Sequence, residues 1–429
     1  MDNKDIIILS GCRTPIGGFG QSLRDVRAYE LASLVMKEAM VRAKVEGAQL
    51  SDVIFGDCIQ TSEEANTART AALKTGIPVE VPAVTIQRQC ASGMQSVIFA
   101  SQQIQCGDSE IVLAGGVESM SNAPYILKKA RWGARLQHGE MTDAMWELLH
   151  SGSGLLGEAF IMGQTAENLA KKYNISRDEQ DQVAFESHSK ALAAIDSGRF
   201  KDEIIPVPIP GRKGEVKMFD TDEHPRRDVS RESLAKLKPV FDKNGTVTAG
   251  NSSGLNDGAA ALIVTSAKKA NELGAKPIVR LIANAIAGVE PSLMGYGPVP
   301  AVQKLLKKTG MKLDDIGLIE ANEAFAAQYL ACEKGLGLDR TKVNVNGSGV
   351  GLGHPVGCTG ARLIVTLMNE MKKRSVKYGI ATLCVGGGMG AAVRICPLPG
   401  WGMGCCPELP APRSGGHADA ALGSGAQGV

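Results

Sequence analysis

The chain has 429 residues, 44% hydrophobic and 21% charged, which places it among ordinary globular proteins and beyond the usual size of one hydrophobic core. Its 47 basic residues nearly balance 45 acidic ones, so no global field favours nucleic acid or an anionic membrane, and any anion site must be local. The cysteines lack metal-type spacing and a chain this long needs no disulfide staples, so a reduced, cytoplasmic protein without a metal centre is expected.

The acidic start is followed by Ile6-Ile7-Ile8-Leu9, too short for a secretion signal and suited to a first strand. No apolar stretch approaches the roughly 20 residues that span a bilayer. Val84-Thr85-Ile86 predicts a strand, Cys90-Ala91-Ser92-Gly93 a turn, and Met94, Val97, Ile98 and Ile104 a helix by their spacing. The strand Ile111-Val112-Leu113-Ala114, ending in Gly115-Gly116, completes this unit.

From about 121 to 248 regular alternation is lost and charge rises, with basic pairs at Arg212-Lys213 and Arg226-Arg227; this reads as an insertion. Within it, Ser176 before Arg177-Asp178-Glu179 signals a capped helix carrying Val183, Ala184 and Ala191. A second unit then repeats the first: Val343-Asn344-Val345, a glycine-rich turn, a helix from about Thr359 to Lys372, and Ile380-Ala381-Thr382-Leu383-Cys384 before Gly386-Gly387-Gly388. The expected organisation is two similar α/β halves, 1–120 plus 249–270 and 271–395, around the inserted 121–248. Residues 396–429, rich in Pro, Gly, Ala and Ser, form an expected disordered tail whose Cys396, Cys405 and Cys406 reflect composition.

Cys90 begins the first predicted helix, where backbone N–H groups and the helix dipole stabilise a thiolate; the alternative is a buried, inert thiol. His354, in Gly351-Leu352-Gly353-His354-Pro355-Val356-Gly357, has glycines that let a ligand approach and suits a general base. His150, His188, His224 and His417 lie among polar residues and read as solvated. Cys384 is placed at the carboxyl end of a buried strand, where open α/β sheets bind ligands. The following Gly386-Gly387-Gly388-Met389-Gly390 has no P-loop lysine, which disfavours a nucleoside triphosphate. Asn322 follows the apolar run Ile316-Gly317-Leu318-Ile319 and either polarises an oxygen or caps the next helix.

Taken in order, Cys90-Ala91-Ser92-Gly93, Asn322-Glu323-Ala324-Phe325, Gly353-His354-Pro355 and Cys384-Val385-Gly386-Gly387-Gly388-Met389-Gly390 resemble the thiolase family. The resemblance runs from about residue 5 to 394 and includes Gly163-Gln164-Thr165-Ala166-Glu167-Asn168 and the segment Gly250–Gly258. It implies a layered αβαβα arrangement of the two halves, with the insertion holding coenzyme A and making subunit contacts. The activity it implies is reversible condensation of two acetyl-CoA to acetoacetyl-CoA, with coenzyme A thioesters as substrates and no permanently bound cofactor. Cys90 would accept the acyl group, His354 activate that thiol, and Cys384 move the α-proton. Asn322 would hold a water that makes one oxyanion hole with His354, and the N–H groups of Cys90 and Gly386 would make the other. Ser253 would meet the pantetheine arm, Arg226, Ser233 and Leu237 would lie near the adenine, and Met162 and Met294 would narrow the acyl pocket. A homodimer or homotetramer follows from the family, with the stretch around 123 to 145 as a contact.

Two positions depart from the family pattern: Gln87 replaces the usual Asn, and Ile161 the His usual in short-chain members. A degradative 3-ketoacyl-CoA thiolase of broader chain length is the nearest alternative. A ketoacyl synthase would use histidines where this chain has Cys384. A non-catalytic acyl-CoA or lipid-binding relative would need none of the four reactive groups.

Overall fold

The computed structural model describes residues 3–136, 138–153, 158–211 and 214–398. The expected tail begins too early, since Cys396 and Pro397 pair with Arg280 and Val279 in the last strand; its residues from 399, with Cys405, Cys406 and His417, and the pair Arg212-Lys213 lie outside the described residues.

The strands are β1 (Ile6–Arg13), β2 (Asp52–Gly56), β3 (Ala83–Ile86), β4 (Ile111–Ser119), β5 (Asn256–Ser266), β6 (Val279–Gly288), β7 (Leu318–Ala321), β8 (Gly379–Val385) and β9 (Met389–Pro397). In the first half they run β1-β5-β4-β2-β3, and in the second β6-β9-β8-β7. Val343 completes the second series by bridging parallel to Ile319, the place that β3 takes beside β2. The halves join edge to edge where Ile6–Ile8 pair with Val279–Leu281, giving one sheet whose tenth strand is the short Gly17–Gly18, paired with the start of β5.

Alternate residues of these strands serve different layers, as the two-residue side-chain period requires. Ile6, Ile8, Val112, Ala114, Leu262 and Val264 face a central core, while Ile7, Leu9, Ile111, Leu113, Ala261 and Ile263 face an outer one. Both faces are covered, which explains why β1 and β4 are buried along their whole length. Two helices, Ser92–Cys106 and Val356–Arg374, pack against each other in the middle layer. Helices Ala28–Ala43 and Thr67–Thr75 cover the first half, and Pro298–Thr309 and Ala326–Leu336 the second. This is the layered two-half fold that the sequence resemblance implied.

The second central helix begins at Val356, three residues before the expected start, because Pro355 occupies its N-cap with φ −66° and has no N–H to satisfy. Its last turn carries Lys372, Lys373 and Arg374 against the dipole's negative end. The span 121–248 is not all loop. It contains helices Met162–Lys172 and Arg177–Asp196, and the Ser176 Oγ accepts from the Glu179 N–H while the Glu179 carboxylate accepts from the Ser176 N–H, as the sequence signal required.

Candidate active site

Cys90 and His354 stand at matching points of the two halves, each two residues ahead of a central helix. The turn before Cys90 forces Gln89 to φ 44°, a left-handed conformation uncommon for a residue with a side chain. Ser92 pins it: its hydroxyl donates to the Gln89 carbonyl at 2.7 Å and accepts from the Arg88 N–H at 2.8 Å. The Cys58 thiol donates to the same carbonyl at 3.2 Å. Gln87, the unusual residue here, donates from Nε2 to the Cys58 carbonyl at 3.2 Å, so it ties the neighbouring loop to this turn.

The helix itself starts at Ser92, and Cys90 is 7% exposed. Burial pushes its thiol up to about 11; the N–H groups of Gly386 and of Cys90 itself pull the other way, and Glu118 adds a small upward push. The thiolate stabilisation expected at a helix start is therefore outweighed by desolvation in the resting site. A base must take the proton when substrate arrives.

His354 is built for that task. The Thr359 hydroxyl has one proton, donated to the Pro355 carbonyl at 2.8 Å, so at 2.6 Å it accepts from the His354 Nδ1–H. The ring proton is thereby held on Nδ1, leaving Nε2 as the basic atom. Burial, with a smaller contribution from Arg362, pushes His354 down to about 3, so the imidazole rests neutral. The Asn322 Nδ2 lies 3.4 Å from Nε2.

Asn322 follows β7 directly, and its N–H donates to the Thr382 carbonyl at 3.0 Å. The next helix is capped at Phe325, so the capping role for Asn322 is excluded. Its Oδ1 is buried and meets no donor of the protein. Glu323 fixes the loop, accepting from the Ser187 hydroxyl at 2.5 Å and from the Asn344 Nδ2 at 2.7 Å. Asn344 in turn accepts from the Ala321 N–H at 2.8 Å.

Cys384 is fully buried near the end of β8. Its thiol is pushed well above the ordinary value by burial first, then by Cys90 and Cys332. Charge on one of Cys90 and Cys384 thus opposes charge on the other, and the pair favours one thiolate at a time. Gly386 follows in the hairpin between β8 and β9, where Gly387 and Gly388 take φ of 84° and 86°. A side chain at 386 would lie 2.6 Å from the Met162 Cε and 3.3 Å from the Gln89 Cγ, so only glycine lets this N–H approach the Cys90 sulfur.

Cys90, His354, Met162, Met294, Ser253, Ile161 and Phe325 line a cavity of about 140 Å³. A second of about 210 Å³ is lined by Arg226, Ser233 and Leu237 together with His188 and His224. The two adjoin, sharing Ser252 and Gly254, while Asn322, Cys384 and Gly386 line neither. The solvated role expected for His188 does not hold: it is 4% exposed and stacks on the partly buried His224 with ring centres 6.1 Å apart. Thr359, Asn256, Glu118 and Glu323 escaped functional assignment in the sequence. Only Thr359 gave a usable signal, a hydroxyl five residues beyond a glycine-flanked histidine and in the first turn of the helix that follows it.

The thiolase N-terminal domain matches residues 6–268 and the thiolase C-terminal domain residues 275–396. An acetyl-CoA acetyltransferase of Syntrophomonas wolfei is 50% identical over 394 residues, 91% of this chain and 98% of that protein. The crystal structure of the Bacillus anthracis acetyl-CoA acetyltransferase superposes with TM-score 0.89 at 55% identity, covering 92% of this chain and 99% of that one. Human mitochondrial 3-ketoacyl-CoA thiolase in complex with CoA superposes with TM-score 0.88 at 41% identity, covering 92% and 98%. With both domains matched across almost the whole described length and the fold shared at this identity, the chain belongs to the thiolase family.

Proposed function

We propose that this enzyme condenses two acetyl-CoA into acetoacetyl-CoA and coenzyme A, reversibly, through an acyl-Cys90 intermediate. The observation that supports it most is Cys90 lining one cavity with a neutral His354 whose Nδ1 proton is committed to Thr359, with Cys384 close enough for the charge of Cys90 to raise its thiol. His354 Nε2 takes the Cys90 proton as the sulfur attacks the thioester carbon, and the N–H groups of Cys90 and Gly386 receive the oxyanion. The coenzyme sulfur leaves with the proton from His354. His354 Nε2, free again, takes the Cys384 proton; the Cys384 thiolate then removes an α-proton from a second acetyl-CoA, whose carbon attacks the acyl-cysteine. The Cys90 sulfur takes the proton from His354 as it is displaced and the α-proton stays on Cys384, so both thiols are restored.

Asn322 has a buried Oδ1 to hold a water, and that water together with His354 Nε2, while it carries the Cys384 proton, would place two donors at the enolate oxygen. Each fixed donor at a developing oxyanion contributes about 3 kcal/mol. Two sulfurs are needed because one remains acylated while the other works as base. The coenzyme arm would run past Ser253 to Arg226, Ser233 and Leu237, so the insertion serves the coenzyme.

Intact-mass measurement after incubation with acetyl-CoA tests the reading: one acetyl adduct, absent in Cys90→Ala, is expected, and its absence from the unaltered enzyme removes the mechanism. Ile161 in the cavity wall, in place of the usual His, favours a second reading, thiolysis of longer 3-ketoacyl-CoA. Fastest cleavage of the longest chains would establish it. Exposed Trp132 and Leu136, 83% and 95% accessible, support subunit contact through residues 123–145 in a dimer or tetramer, which light scattering reads directly. A cytoplasmic location completes the proposal, tested by fractionation. Among the described residues no helix is long and apolar enough to cross a membrane, and no cluster of His, Cys, Asp or Glu is arranged to hold a metal.

A further inference from the structure

Asn256, the first residue of β5, is completely buried between the two halves. Its Oδ1 accepts from the backbone N–H of His354 at 2.8 Å. Its Nδ2 donates to the Gly17 carbonyl at 3.0 Å and to the His224 Nδ1 at 3.3 Å. The amide has only one consistent orientation, since reversal would set two donors against each other at His354 and two acceptors at Gly17. It also lies flat on the backbone before the histidine, because a Cβ at Gly353, where φ is 101°, would stand 2.7 Å from its amide atoms.

The orientation of Asn256 fixes His224. An amide nitrogen only donates, so the His224 Nδ1 accepts, and the ring proton sits on Nε2, which donates to the Val350 carbonyl at 3.2 Å. Burial holds this ring's protonation below the ordinary histidine range, with Arg226 acting the same way, so it remains the neutral acceptor that Asn256 requires. His224 also stacks on His188, whose Nδ1 accepts from the Arg226 N–H at 3.2 Å. His188, His224 and Arg226 all line the outer cavity, whereas His354 lines the inner one.

We propose that Asn256, braced by His224, positions His354 and thereby links the wall of the outer cavity to the reacting histidine. The inference rests on the reading of His354 as the base that activates Cys90. Neither Asn256 nor His224 touches the reacting atoms; both are positioning residues. A residue that merely lines the coenzyme cavity would matter only when that cavity is filled. A brace would matter even when it is empty.

The test compares acetyl-CoA with the acetyl thioester of N-acetylcysteamine, which lacks the nucleotide and most of the arm and leaves the outer cavity vacant. Acylation of Cys90 is followed by quenched-flow mass spectrometry. His224→Leu should slow acylation by about tenfold with both thioesters, since a displacement on the order of 1 Å at a reacting group costs up to about a hundredfold. His224→Asn places a carbonyl oxygen where Nδ1 stood and should recover most of that loss, which separates the brace from a general folding defect. A slowdown confined to acetyl-CoA, seen as a higher KM at constant turnover, overturns the proposal, as does failure of His224→Asn to recover more than His224→Leu. His354→Ala is run alongside: if it acylates Cys90 at the unaltered rate, the base assignment fails, whatever the His224 variants do.

Discussion

The two halves share one strand order and put different chemistry at equivalent places. In the first half Gly56 of β2 stands opposite Gly116 of β4, and in the second Ala321 of β7 stands opposite Thr382 of β8. One residue beyond the first strand and two beyond the second residue lie Asp57 and Glu118 in one half and Asn322 and Cys384 in the other. Asp57 and Glu118 are both buried, and burial raises both, Glu118 well above the ordinary value with the charge of Asp57 pushing the same way. Glu118 accepts the N–H groups of Ile59 at 3.0 Å and Gly357 at 2.7 Å, so it ties the Cys58 loop to the helix that follows His354. The same strand ends thus supply a brace in one half and a reactive pair in the other. A duplicated fold can divide its labour this way because strand ends tolerate change that the shared core does not.

The sharpest way to break this division is to exchange the reactive groups. Cys90→Ser should abolish the acetyl adduct and lower turnover by about 10⁴-fold or more, because a serine hydroxyl is a far weaker nucleophile than the thiol it replaces. Cys384→Ala should keep the adduct yet lose about 10³-fold in condensation, since proton transfer alone is removed. Rapid-quench kinetics that resolve the two steps check both. Equal loss in both steps for Cys384→Ala would end its assignment as the second base. Asn322→Ala should follow with about a 10²-fold loss in condensation, the effect of one oxyanion donor.

The sequence made the reactive half more legible than the bracing half. Cys90, His354 and Cys384 stand out because each has glycines or a strand end beside it, a pattern that packing alone does not require. Glu118 gives no such signal: a lone Glu after Val117 reads as a strand end reaching solvent, and only the fold brings three backbone N–H groups to it. His188 misled for the same reason, since polar sequence neighbours on a helix say nothing about the face turned inward. The early start of the helix at Val356 came from the proline cap, a local signal that the apolar spacing concealed.

The brace has its own test, smaller in effect and read in stability. Because the folded state raises the Glu118 value, it binds a proton that the unfolded chain releases above the ordinary carboxylate value of 4.5. Its contribution is complete below that value and is lost as pH rises through the folded value. Glu118→Gln imitates the protonated acid, so it should cost about 1–2 kcal/mol in weak acid and show a shallower decline towards alkaline pH. Urea melts across the pH range check the slope. An unchanged slope would place the proton on Asp57 and reverse the roles within the pair.

The smallest expected effect concerns chain length, where the comparison passes to the cavity wall that the halves and the insertion build together. Met162 and Met294 both line the inner cavity, but they are not equal probes. The Met162 methyl lies over Gly386, so trimming it would disturb the oxyanion turn as well as enlarge the cavity. Met294, 2% exposed in the turn Pro291–Tyr296, is the cleaner choice. Met294→Ala should raise kcat/KM for a six-carbon 3-ketoacyl-CoA relative to acetoacetyl-CoA by about tenfold, the discrimination available from one or two methylenes in an apolar pocket. A constant ratio would shift control of chain length to Ile161 with Leu148 and Leu149 on the same wall, and Ile161→His, restoring the usual residue of short-chain members, would then be the change that narrows the range.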